Sequence, residues 1–378
     1  MRMFRKVATA LSALLLLAGT PVTADADEVP VTFAFSGSGY GHGVGISQIG
    51  ARAKALAGES ATTILNYYYT GTTVETATDT QILRINIGHL LTATKVRSDS
   101  TGASLQLFAG DLAETQTAQV LSTIPSKTTL NVALLNGELN LSTTRGSRIT
   151  QISSGSVFTL RWSGTRYLEG APTILSVTTN ATVNRYRHGQ IQFKVIRDKV
   201  LGKRLEIINS VRLQDEYLWG ISEMSSAWPT AALEAQVIAS RSYALSKIGA
   251  IKPSCDCHVY SHIADQNFVG YSKEIEPKIG ALWKAAVSRT NIDISTSLAI
   301  LLNGKPIQAY YSSSSGGATQ TTLDAWGQPT PYTQSVADPE GLDPKLNPRF
   351  ASWKASSTQQ LVAAAFLLPD VISLEIVS

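Results

Sequence analysis

Cysteine is nearly absent from this sequence, with two residues in 378, at positions 255 and 257. Two thiols cannot staple a chain of this length, so a disulfide-framed scaffold is excluded. With one residue between them, Cys255 and Cys257 are also expected to lie too close for an ordinary bridge. Charge is scarce too: 16% of residues are charged and the formal net charge is +4. So weak a basic excess argues against nucleic acid as a partner. Beyond the N-terminus no run is long and apolar enough to cross a bilayer, where about 20 residues are needed. No internal repeat or long low-complexity linker is present. Against these shortages stands a hydrophobic content of 43%, enough for one large or two medium domains.

The first six residues, Met-Arg-Met-Phe-Arg-Lys, precede an apolar run from Val7 to Gly19 and a small-residue stretch ending Ala24-Asp25-Ala26. A charged start, a short apolar middle and an A-x-A site describe a secretory signal peptide over 1–26. Its removal takes away three positive side chains and one negative, leaving a mature chain of charge +2 that is secreted, with no membrane span. The competing reading is an uncleaved anchor.

Four regions follow by composition. Residues 29–75 hold a glycine cluster, Gly37 to Gly50, then helix-like stretches through Ala51 to Ala57, stopped by Gly58, and through Thr62 to Tyr69. Residues 80–215 are rich in Thr, Ser, Val, Ile and Leu in short alternating runs, which predicts strands. Residues 216–290 are helical in character, with Pro229 suited to a first turn and Leu233, Val237, Ala244 and Leu245 recurring at helical spacing. After residue 295 strands return, with an Asn303-Gly304 turn in a hairpin. The chain stops at Ile376-Val377-Ser378 in a strand-like run, so the natural protein is expected to continue. The fold class is α+β, a strand-rich half packed with a helical half.

Three groups of residues carry candidate chemistry. Glu223 lies among Tyr217, Leu218, Trp219, Ile221 and Met224, and apolar burial raises a carboxyl pKa as a general acid requires. Its alternative role is a helix cap. The glycine cluster fits neither phosphate-loop pattern. It would instead let backbone approach a ligand closely while His42, Ser47 and Gln48 offer hydrogen-bond groups, or His42 is a structural residue at a tight turn. Finally, Cys255, Cys257, His258 and His262 supply two thiols and two imidazoles, the ligand types of a structural zinc site, though C-x-C-H-x3-H differs from the usual C-x2-C pairs. Free or oxidised thiols in a loop are the alternative.

Three blocks resemble the stage II sporulation protein D / LytB amidase-enhancer family. The first runs from Leu213-Gln214-Asp215-Glu216-Tyr217-Leu218-Trp219-Gly220-Ile221-Ser222-Glu223-Met224 through Trp228-Pro229 to Ala232–Leu245. The second is Ala309–Thr319 with Trp326 and Pro331-Tyr332, and the third Gly41-His42-Gly43-Val44-Gly45-Ile46-Ser47-Gln48-Ile49-Gly50 with Tyr67-Tyr68-Tyr69. The glycine-histidine block is N-terminal here, whereas in the sporulation protein it lies near the C-terminus, a permutation that domain ends lying close together would permit. Glu234 stands where the sporulation protein has lysine, Ser225 where proline is common, and Ile49 where an aromatic is common.

The resemblance implies a peptidoglycan lytic transglycosylase in which one carboxyl acts as acid and then base, with no cofactor needed for catalysis. It places Glu223 as the catalytic acid and Arg241 as an active-site arginine. Tyr311, Ser314, Trp326 and Gln266, with Tyr310, are expected to join His42, Ser47 and Gln48 along a long substrate cleft. Residues 29–75 would complete that cleft, 80–215 form a strand-rich half and 216–378 the catalytic core. Glycan strands are the implied partner, and a cell-wall amidase the partner in a second, non-catalytic reading as an amidase enhancer. A zinc hydrolase built on the Cys/His cluster is the third.

Overall fold

Strands dominate the middle of the chain because its side chains alternate, and alternation is what a sheet with one covered face selects. The computed structural model describes residues 29–375, so the expected leader at 1–26 lies outside the described residues. Within 80–215 the strand Ala93–Arg97 buries Thr94 and Val96 while its odd-numbered side chains face out, and Ser104–Ala109 buries Leu105 and Leu107. Gly202–Arg212 is buried on both faces from Leu205 to Val211 and lies inside a sheet. That sheet has seven strands, in the order Val259–Tyr260, Ile82–Leu91, Gly202–Arg212, Gln190–Asp198, Val157–Trp162, Ser104–Ala109, Val120–Pro125. A six-stranded sheet contains Ala93–Arg97 between Thr129–Leu135 and Leu175–Thr179. Leu105, Leu107, Leu160, Trp162 and Phe193 from the first join Val96, Leu130, Val132, Leu139 and Val177 from the second in one buried cluster.

The helical part has a core of its own. Helix α1 (Gln48–Leu56) is capped by Ser47, whose hydroxyl accepts from Gly50 N, and α2 (Ala61–Tyr68) by Ser60 in the same way. Helix α3 (Thr230–Lys247) follows Pro229, which sits at its N-cap rather than inside its first turn. The Leu233–Val237–Ala244 stripe packs on the larger cluster, but Ala235, Ile238 and Ala239 on the other side pack against Ile64, Leu65, Ile300 and Ile307. α3 is therefore buried on two opposite faces and joins both cores, which a single apolar stripe does not anticipate. Each fully buried Leu, Ile or Val contributes roughly 1.5–3 kcal/mol to that junction. The predicted hairpin is present: Leu302 pairs with Lys305 across Asn303 and Gly304, both at positive φ.

Two segments far apart in the sequence meet near the limits of the described residues. Thr32–Gly37 pairs antiparallel with Trp353–Thr358, and Ile46–Ser47 runs parallel to Tyr311–Ser312. Gly45 makes the second contact possible, since at φ +71 its Cα lies so close to Tyr310 that an added Cβ would come within 2.0 Å of the Tyr310 carbonyl oxygen. The architecture is a mixed α+β fold in which the N-terminal glycine loop is seated on the 310–315 segment. Among the described residues no helix is long and apolar enough to cross a membrane.

Candidate functional site

Glu223 is fixed by two strands too short to count as a sheet. Ile221 bridges Phe268, Ser222 N donates to Asn267 O, and Val269 N donates to Gly220 O at 2.8 Å. Gly220 permits this because a Cβ there would meet the Phe268 ring at 2.4 Å. The clamp presents the half-buried Glu223 to two donors: Asn267 N at 2.6 Å and the Tyr311 hydroxyl at 3.0 Å, both to Oε1. A cap role is excluded, since neither donor belongs to the first turn of α3.

Behind the acid runs a chain of hydrogen bonds. Tyr217 OH donates to Gln266 Oε1 (2.5 Å), Gln266 Nε2 donates to Tyr311 OH (2.8 Å), and Tyr311 OH donates to Glu223. Every hydroxyl hydrogen has a set direction, so the acid cannot easily turn away. Burial raises the Glu223 pKa above the ordinary carboxyl value, and the two donated hydrogen bonds only partly offset it.

Tyr311 lines a pocket of about 520 Å³ together with His42, Tyr243, Lys252, Asp265, Tyr310 and Trp326, and Glu223 lies behind Tyr311 rather than in the lining itself. The Tyr310 and Trp326 rings lie 4.7 Å apart, and His42 meets the Trp326 ring edge-on at 5.1 Å. His42 accepts Val44 N at Nδ1, and desolvation lowers its pKa, so it is a neutral imidazole with Nε2–H as its donor. Asp265 accepts Tyr243 OH and Tyr260 N and pairs with Lys252. Successive residues of one segment thus touch both parts: Tyr310 stacks in the pocket and Tyr311 holds Glu223.

Several expected site residues have structural work instead. Arg241 is fully buried, with Nε 2.9 Å from Asp79 Oδ2 and its other nitrogens on Thr290, Leu298 O and Asn291. It does not reach Glu223. α3 carries it on a side facing the 290–298 segment, where both terminal nitrogens are hydrogen-bonded, while Nε faces Asp79. Ser47 caps α1, and Gln48 donates to Gln236 Oε1 inside the helical core. Ser314 is buried and accepts from Asn347. Gln266 serves the acid from behind. His42, Tyr311 and Trp326 stand at the pocket. Lys247 and Lys252, which also line the pocket, were missed in the sequence because a helix-terminal lysine and a loop lysine carry no distinguishing spacing.

Comparison with known proteins matches residues 202–296 to the stage II sporulation protein (SpoIID) family. The chain carries a SpoIID/LytB domain. An "Amidase enhancer" of Bacillus subtilis (strain 168) is 29% identical over 125 residues, 33% of this chain and 15% of that protein. An uncharacterized protein of Brachyspira hyodysenteriae is 29% identical over 151 residues, 39% of this chain and 37% of that one. The chain thus aligns with well under half the length of either relative. No solved structure matches it. The matched SpoIID/LytB segment supplies Glu223, Tyr243, Lys252, Asp265 and Gln266, while His42, Tyr310, Tyr311 and Trp326 come from outside it.

Within the same SpoIID/LytB segment, zinc fits the expected ligands poorly. Cys255 and Cys257 are joined in a disulfide, overturning the expectation that they sit too close to bridge. Asp256 between them adopts a left-handed turn at φ +53, held by Arg84 and Lys194, which sets the two Cα atoms 5.2 Å apart. No thiolate is left to ligate. His258 Nδ1 accepts Arg84 N, and His262 Nδ1 accepts Ala264 N on an exposed loop. Among the described residues no three His, Cys, Asp or Glu side chains gather as a metal site. Glu234, where the sporulation protein has lysine, pairs with Arg289 on the outer side of α3.

Proposed function

We propose that this protein is a secreted cell-wall enzyme that cuts the glycan strands of peptidoglycan as a lytic transglycosylase. The observation that carries the reading is the carboxyl of Glu223, desolvated and held by Tyr311, a residue that also lines the aromatic pocket. Desolvation keeps a proton on Glu223 at a pH where ordinary carboxyls have lost it, the condition for a general acid. Glu223 gives that proton to the leaving glycosidic oxygen as the bond to the muramoyl C1 breaks. The muramoyl 6-hydroxyl then bonds to C1, closing an anhydro ring, and returns its proton to Glu223. Donors from Tyr311 and Asn267 steady the carboxylate between the two transfers. A single carboxyl suffices because no external water attacks. Tyr310, Trp326 and His42 would seat the sugar rings, with residues 29–75 completing a cleft on the 216–378 core.

Purified mature protein incubated with peptide-stripped glycan strands should release anhydromuramoyl products by mass spectrometry. Glu223→Gln should lower the yield at least a hundredfold. Equal yields from the two proteins would overturn the assignment.

A second reading rests on a different observation, the relative called an amidase enhancer. In it the pocket binds wall glycan without cutting, and a partner amidase does the hydrolysis.

A further inference from the structure

A second depression, of about 450 Å³, lies across the glycine loop from the candidate site and is lined by Ser38, Gly39, Tyr40, Gly41, Ser315, Arg349, Phe350 and Trp353 among others. We infer that Tyr40, Phe350 and Trp353 form a second sugar-stacking platform, on which a polysaccharide already seated at the Tyr310–Trp326 pocket continues over the loop. The inference rests on the reading of that pocket as a glycan site, and it adds a binding site outside the matched segment 202–296.

Exposed aromatics carry the first part of the case. Tyr40 is 61% exposed and Trp353 38%, although large apolar rings ordinarily turn inward. They are held rigidly where they stand. Phe350 stacks under Tyr40 at 4.4 Å with the rings 14° from parallel, backing one face and leaving the other to solvent. The indole of Trp353 lies on Gly37, where a Cβ would meet it at 2.5 Å, and its Nε1–H donates to Gly39 O. Flat rings fixed in advance lose little entropy on binding.

The surroundings are polar in the way a sugar requires. Ser38, Ser315 and the Arg349 guanidinium stand around the rings, and the glycines expose backbone instead of side chains. A helix or strand with an apolar face would find few partners for its side chains among such groups. A sugar presents an apolar ring face and a hydroxyl rim, matching both.

Continuity selects a polymer. Tyr40 and His42 are two residues apart on one loop, and they line the two depressions. That loop is pinned between them. Tyr40 N donates to Ser314 O, Ser314 N to Tyr40 O, and Ile46 N to Tyr310 O. Segment 310–315 thus underlies both depressions, Tyr310 at one and Ser315 at the other. A single sugar would use one of them; a chain of several would use both.

The test is calorimetric binding of β-1,4-linked N-acetylglucosamine oligomers, a trimer and a hexamer, to the mature protein. Wild type should bind the hexamer about tenfold tighter than the trimer. Tyr40→Ser and Trp353→Ala should each erase that length advantage while leaving trimer affinity within twofold. Tyr40→Ser changes an exposed side chain, so it answers the question even where Trp353→Ala does not fold. An unchanged length advantage in Tyr40→Ser, or no advantage in wild type, overturns the second platform and leaves Glu223's role standing. Failure of wild type to bind either oligomer overturns it together with the reading of the first pocket.

Discussion

Replacing Glu223 by Gln removes a charge but keeps the oxygen that accepts from Tyr311 and Asn267. Stability and activity should therefore separate. Below about pH 4 the acid is protonated whether folded or not, and the two proteins should melt together. As pH climbs from the unfolded carboxyl value through the raised native one, the unfolded chain gives up its proton first and wild type loses stability that the Gln variant keeps. Melting curves should show no difference at pH 4 and a more stable Glu223→Gln protein at pH 7.5. A less stable variant at neutral pH would mean that the carboxylate serves the fold. Arg241 is the opposite case, a buried cation opposite a buried Asp79. Arg241→Met should cost about 3–5 kcal/mol by denaturant unfolding, while glycan cleavage per folded molecule is unchanged. Selective loss of turnover in a stably folded variant would restore Arg241 to the site. The sequence marked Glu223 as unusual because its neighbours are apolar. It could not show that Arg241 faces Asp79, 162 positions away, since no local pattern encodes a pairing made when α3 packs on the sheet.

At the scale of elements, what could be read in advance was what is decided locally. Helices α1 and α2 run where the stretches 51–57 and 62–69 read as helical, the Asn303-Gly304 turn closes its hairpin, and strands fill 80–215 where side chains alternate. α3 was legible in extent but not in environment, because two cores claim opposite faces of one helix. The Cys255–Cys257 link was misjudged for another reason: spacing alone suggests crowding, whereas the left-handed turn at Asp256 supplies the missing geometry. The protein purified without reductant and then denatured should titrate no free thiol, and two after reduction. It should also carry no stoichiometric zinc by atomic emission. Two free thiols with one bound zinc would reinstate the metal site. So short a loop restrains the unfolded chain little, and Cys255→Ser/Cys257→Ser should lose only about 1–2 kcal/mol.

On the scale of the whole molecule, the candidate site is a meeting of distant segments. An acid from the 220–223 clamp, a tyrosine from 310–311 and the glycine loop at 37–50 are brought together by the parallel pairing of Ile46–Ser47 with Tyr311–Ser312 and the Tyr311–Glu223 hydrogen bond. The pairing seats the glycine loop on the segment whose Tyr311 holds Glu223. Whether this site cuts glycan or only holds it is decided by one two-armed assay. Glycan ends are counted after incubation of peptide-stripped strands with wild type or Glu223→Gln alone, and amidase turnover on whole sacculi is counted with each protein added. Wild type alone should give anhydromuramoyl ends, and Glu223→Gln should lose them. No ends from wild type, with equal stimulation of the amidase by both proteins, would contradict a catalytic role for Glu223.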